Sequence, residues 1–178
     1  MAEAEPDGDG RREVGDDAVW SLSSAKPGNG IDQLRDNNMD TYWQSDGMQP
    51  HVINLQFPRK TTVHELMLYL DYKLDESYTP KKIAIRSGNT VHDLKEIHVQ
   101  HLAEPDGWIS MPLYTDGSSE QVPLRTFFLQ IAILAMHQNG RDTHVRQVKI
   151  YAPREASSIN WTVVEAVTPQ FTAYSCIR

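Results

Sequence analysis

The chain has 178 residues, 39% hydrophobic and 23% charged, which is enough for one domain with one sizeable core and hardly for two. Its formal charge is −7, of which residues 1–17 hold −5, seven acids against Arg11 and Arg12; about −2 is left on the rest, with no basic stripe, which argues against nucleic-acid binding by phosphate neutralisation. Apolar runs such as Ile131–Met136 are too short to cross a bilayer, the N-terminus lacks the basic-then-apolar pattern of a secretory signal, and the single cysteine, Cys176, allows no intrachain disulfide, so the expectation is an intracellular protein without a membrane partner.

In chain order, residues 1–17 read as a disordered acidic leader, because a stretch of Asp, Glu and Gly without aromatics buries too little apolar surface to offset ordering. Structure is expected from Ala18, near Trp20, the first aromatic residue. His51–Phe57 alternates, with Ile53, Leu55 and Phe57 on one face, which is the period-2 signature of a half-buried strand. After Pro58-Arg59-Lys60, Val63–Tyr72 is apolar on both faces and should lie centrally in a sheet. Lys82–Arg86 and Trp108–Leu113 read as further strands, while Asp93–His101 fits either a short helix or a strand. Phe127, Leu129, Ile131 and Ile133 form another alternating row, and Arg146–Tyr151 is the last strand. At least one of Trp20 and Trp43 should be core.

Short strands, frequent turn signals and little helical periodicity predict an all-β fold, an antiparallel β-sandwich or jelly roll over 18–153. Residues 154–178 read as a C-terminal extension with scattered apolar anchors (Trp161, Val163, Val164, Phe171, Tyr174).

Enzyme signatures are missing. There is no His-Glu-x-x-His, no phosphate-binding glycine loop, no paired-cysteine metal site and no Gly-x-Ser-x-Gly elbow. His98 and His101 lack a completing ligand, and Cys176 has no activating context. Asp71, Asp75 and Glu76 cluster after the central strand, but without converging partners they read as a solvated loop rather than a hydrolase pair. The expectation is therefore a non-enzymatic binding protein without catalytic residues, metal or cofactor.

Three polar clusters lie beside strand ends: Thr41–His51, Asp75–Pro80 and His137–His144. Each is dense in hydrogen-bonding side chains. Loops held by rigid sheets are where recognition is commonly placed, so their convergence at one end would make a binding face.

Trp20-Ser21-Leu22-Ser23-Ser24, Lys26-Pro27-Gly28, Leu34-Arg35-Asp36 and Thr41-Tyr42-Trp43-Gln44-Ser45, followed by the His51–Phe57 strand, resemble the discoidin-like, galactose-binding sandwich. More narrowly, Thr41–His51, Asp75–Pro80 and His137–Arg146 resemble the DOC-domain subunits of the anaphase-promoting complex, a cell-cycle ubiquitin ligase, over about Val14 to Pro153. The resemblance implies a co-receptor for destruction-box degrons, working with a propeller-type coactivator and promoting processive ubiquitination in nucleus and cytoplasm. It implies a degron-binding face of Asn139, Arg141, Asp142 and His144, with Ser77 and the loop residues Ser45, Asp46 and Gln49 nearby. In this reading Asp142 holds a donor or orients His144. The closing Ile177-Arg178 is implied to anchor the chain in a groove of a tetratricopeptide-repeat scaffold subunit. Two questions stay open. The commoner use of this sandwich is carbohydrate binding, for which Trp43 or Tyr78 would be the aromatic platform. Asp36, Asn37 and Asp40 would supply oxygens for an ion beneath the Arg35–Thr41 loop.

Overall fold

The computed structural model describes residues 10–115 and 121–153. Alternating apolar residues make strands with one dry face, and two such faces close on each other. The five-stranded sheet has the order β2-β4-β9-β6-β7, built from β2 (Val19–Leu22), β4 (His51–Val63), β6 (Pro80–Gly88), β7 (Lys95–His101) and β9 (Leu124–Met136). The four-stranded sheet has the order β1-β11-β5-β8, built from β1 (Arg11–Glu13), β5 (Glu65–Asp71), β8 (Asp106–Pro112) and β11 (Gln147–Pro153). A short ladder of β3 (Trp43–Gln44) with β10 (His144–Val145) closes one end. All pairings are antiparallel. The fold is the expected β-sandwich.

Register places the core. Ile53 of β4 faces Ile131 of β9, which faces Ile85 of β6, and Leu55 faces Leu129 beside them. From the other sheet, Leu66 and Leu68 of β5 pair with Ile150 and Val148 of β11. All of these side chains are buried. Trp43 is fully buried, with its indole N–H donating to the Ser24 carbonyl at 2.9 Å, and Trp20 packs half-buried against the core.

β5 is interior, as its two apolar faces require. Its outward side is covered rather than wet: Tyr69 meets Trp108 edge-on at 5.4 Å, and Met67 lies under Arg11. Asp93–His101 resolves into strand from Lys95, preceded by a turn in which the Asp93 carboxylate accepts from the Asn89 and Thr90 amides.

Two expectations need correction. Order does not wait for Ala18. β1 pairs Arg11–Glu13 with Pro153–Tyr151, and Val14 is fully buried. The charges read as solvating find partners: Arg11 pairs with Glu65 and lies 4.8 Å over Tyr151, while Arg35 bonds Asp16 at 2.8 Å and lies over Trp20. Residues 1–9 and the extension 154–178 lie outside the described residues. The other correction concerns Pro58, which does not end a strand. β4 runs through it while the β4–β9 register shifts between Gln56 and Thr61. Proline has no ladder donor, so a bulge is where a strand can hold it. Phe127 sits opposite that shift and stays half-buried, outside the row of Leu129, Ile131 and Ile133.

Ile131, flanked by Ile53 and Ile85, tests this core. Ile131→Ala should lower unfolding free energy by about 2–5 kcal/mol and Ile131→Val by about 0.5–1.5 kcal/mol, read from urea denaturation.

Candidate functional site

The start of β4, the β5–β6 connection and the β9–β10 connection bring the three polar clusters to one end of the sandwich. β4 begins there at His51, β9 delivers the 3-10 turn His137–Asn139, and β10 and β11 leave from His144. The clusters bond to one another. Ser45 N–H donates to the Thr143 carbonyl at 3.2 Å, and Thr143 N–H donates to Ser45 Oγ at 2.9 Å. Gln49 Nε2 donates to the Gly140 carbonyl at 3.2 Å, and His51 Nε2–H to the Arg141 carbonyl at 2.8 Å. Thr143 Oγ1 donates to the Tyr78 carbonyl at 3.2 Å, and His137 N–H to the Thr79 carbonyl at 2.9 Å. Gly140 is glycine for room: a Cβ there would stand 1.8 Å from the Ser77 carbonyl oxygen. The three loops form one face.

Beneath that face lies a buried ionic foot. Asp71 caps the short helix Tyr72–Asp75, which delivers Asp75 inward, 5% exposed. Arg146 meets it with two bonds, Nε to Oδ2 and Nη2 to Oδ1, each 2.8 Å, and reaches the Met39 carbonyl at 2.7 Å. His144 Nδ1–H donates to Asp75 Oδ1 at 3.0 Å. Its ring is stacked between Tyr42 at 4.1 Å and Tyr78 at 4.2 Å. Burial alone would raise the Asp75 pKa, but the hydrogen bonds from His144 and Arg146 and the Arg146 charge outweigh it and hold it below the usual carboxylate value.

The candidate residues therefore divide into two tiers. Asn139, Arg141, Asp46 and Gln49 are exposed, and Ser77 and Asp142 are half-buried. Ser45 and His144 are buried, and their polar atoms hold loops together, so they support the face rather than present it. It is Asp75, not Asp142, that orients His144. The solvated-loop reading of Asp75 fails for the same reason, and Asp71 is engaged as a helix cap. Of the two aromatic residues considered as a sugar platform, Trp43 is buried, while Tyr78 is 38% exposed and stacks one ring face on His144. Met48, within the Ser45–Gln49 loop, is 88% exposed.

Backbone strain gathers here. Glu76, Gln138 and Asn139 all have positive φ (43°, 50° and 55°), a conformation non-glycine residues rarely adopt outside over-determined sites. His144 Nε2 is buried without a hydrogen-bond partner among the described residues.

No group of three or more His, Cys, Asp or Glu among the described residues is placed to hold a metal ion. Under the Arg35–Thr41 loop the gathering group is an amide. Gln147 Nε2 lies 2.7 Å from Asp36 Oδ1, 2.9 Å from the Asn38 carbonyl and 3.1 Å from that of Gln33, while its Oε1 accepts from Asn37 N–H at 3.2 Å. Ile177 and Arg178 lie outside the described residues.

The foot has a pH signature. A carboxylate whose folded pKa is lowered contributes stability above its unfolded pKa and loses it as pH falls through the folded value. Wild-type stability should therefore drop as pH falls below about 4, and Asp75→Asn should flatten that acid limb in urea titrations. Asp75→Ala, which leaves Arg146 buried and unpaired, should cost about 3–5 kcal/mol at neutral pH.

Comparison with known proteins agrees with this fold. The solved structures similar to the chain include the family 32 CBM of Clostridium perfringens NanJ in complex with galactose, at a TM-score of 0.64 and 10% identity, covering 80% of this chain and 99% of that one. They also include chitosan-binding module 1 of a Paenibacillus sp. IK-5 chitosanase/glucanase, at a TM-score of 0.61 and 12% identity, covering 79% and 99%. At such identities the likeness is one of fold. Anaphase-promoting complex subunit 10 of Homo sapiens is 60% identical over 94% of this chain and 88% of its own length, and that of Dictyostelium discoideum 53% identical over 93% and 86%. Subunit DOC1 of Saccharomyces cerevisiae is 31% identical over 76% of this chain and 54% of its own length. The profile of the family described as Anaphase-promoting complex, subunit 10 (APC10), matches residues 2–176, and the chain belongs to that family.

Proposed function

We propose that this protein is a non-catalytic subunit of the anaphase-promoting complex, and that its loop end receives an extended degron peptide. The observation that carries the reading is the convergence of three polar loops on one strained face above the Asp75–Arg146–His144 foot. Exposed Asn139 offers an amide group suited to peptide backbone, Gln49 offers its Oε1 while its Nε2 holds the Gly140 carbonyl, and Arg141 offers a cation with no described ion pair. The half-buried Ser77 and Asp142 complete the rim. In this reading the foot holds the loops in place and takes no part in chemistry.

A small polar face binds weakly alone, because hydrogen bonds exchanged with water return little net free energy. Shared capture raises affinity without new contacts. In this proposal a propeller-type coactivator takes one part of a destruction-box degron and the loop face takes another, so that substrate stays bound through successive ubiquitin additions. Ile177-Arg178 anchors the chain to a tetratricopeptide-repeat scaffold subunit, and the protein acts in nucleus and cytoplasm.

The test is a reconstituted complex with a destruction-box substrate. Asn139→Ala combined with Arg141→Ala should shorten ubiquitin chains per binding event and weaken degron capture about 10-fold, as expected for losing one or two central contacts. The variant should still assemble and keep its melting temperature, while removal of residues 177–178 should reduce assembly instead. Unchanged chain length with the double variant would contradict the proposed role of the loop face.

A further inference from the structure

The opposite end of the sandwich carries a different chemistry. There β4 ends, β9 begins and β11 finishes beside β1, and the mouth between the two sheets is a groove of about 660 Å³. Arg12, Arg59, Lys60 and Arg125 line it, against Asp17 as the single acid among the described residues, which pairs with Arg12 at 3.3 Å. Arg59, Lys60 and Arg125 are exposed, and their side chains make no ion pair or hydrogen bond with any described residue. In a chain of net charge −7 this is a concentrated positive end, assembled from three segments that are distant in sequence. Like charges held together repel, so such a cluster is costly unless something anionic neutralises it.

The backbone beside the groove is also unfilled. β2 pairs with β4 only as far as Gln56, and β9 resumes only at Thr61, which leaves residues 57–60 outside both ladders. An extended chain laid along this stretch meets Thr61 and Thr62 as well as the cations. That favours a peptide over a small anion, and the short length of the cluster disfavours nucleic acid, which needs cations tracking many phosphates.

We propose that this groove docks an aspartate- and glutamate-rich segment of a neighbouring polypeptide, leaving the loop end free for its own ligand. The site is independent of the degron-binding proposal, because no residue is shared between the two ends.

A fluorescein-labelled decapeptide of alternating Glu and Asp, titrated with the full-length chain and read by fluorescence anisotropy, tests this. Saturable binding is expected at low salt, falling several-fold when salt is raised from about 50 to about 200 mM. The triple variant Arg59→Glu, Lys60→Glu and Arg125→Glu, all on exposed positions, should bind about 10-fold more weakly. Lys81→Glu with Lys95→Glu, charge changes on the β6–β7 side, should bind as wild type does, and a Gln/Asn decapeptide should not bind. Equal binding by wild type and the triple variant would overturn the proposal, as would equal loss in the control variant or tighter binding of a ten-nucleotide single-stranded DNA. Binding that appears only after removal of residues 1–9 would assign the groove to the chain's own acidic leader and overturn it equally.

Discussion

The bond between Asp75 and Arg146 is the constraint on which the functional end of this protein rests. Both side chains are buried, and either one alone in that position would be an uncompensated charge in a low-dielectric interior. Met together by two parallel bonds, they tie the turn after β5 to the start of β11. The same carboxylate fixes His144, and that ring is clamped between Tyr42 and Tyr78. One residue from each polar cluster is thereby locked to the others. A buried ion pair contributes little net stability compared with a well-packed apolar group, so its value here is positional: it allows one arrangement of the loops and penalises others.

Above this foot the face is polar, strained and small. Positive φ at Glu76, Gln138 and Asn139 persists because hydrogen bonds on both sides over-determine the turns, and Gly140 admits the Ser77 carbonyl against the chain. Trp43 is turned inward and Tyr78 stacks on His144, and a shared fold leaves the chemistry of its loop surface free to differ. The sandwich has two unlike ends, joined by the same three strands. One presents amides and strain, the other cations and an unpaired strand segment.

Much of the fold was legible because alternation is a local signal. Ile53, Leu55, Ile83, Ile85, Leu129 and Ile131 each show their buried face within a few residues of sequence. What stayed hidden depends on distant partners. Asp75 looked like a loop acid because Arg146 lies 71 residues away, and nothing near Asp75 announces it. β1 was lost inside an acidic stretch whose charges are matched by Arg35 and Glu65 elsewhere. Phe127 fell out of its row at the β4–β9 register shift, where the buried face of β9 passes from Leu124 and Thr126 to Leu129 and Ile131. The three loops were recognisable as a set by their composition. Which of their residues face solvent was not, since Ser45 and His144 look as polar as Asn139. Likewise the basic groove is absent from any linear view of Arg12, Arg59, Lys60 and Arg125.

The claim that three loops make one receptor face is tested most directly by following the backbone amides of isotope-labelled full-length protein by NMR while a destruction-box peptide is added, a method suited to weak binding. The account predicts concentration-dependent shifts gathered at residues 45–49, 77–78 and 138–142, with the core strands unmoved. Shifts confined to other surfaces, or to only one of the three loops, would contradict it.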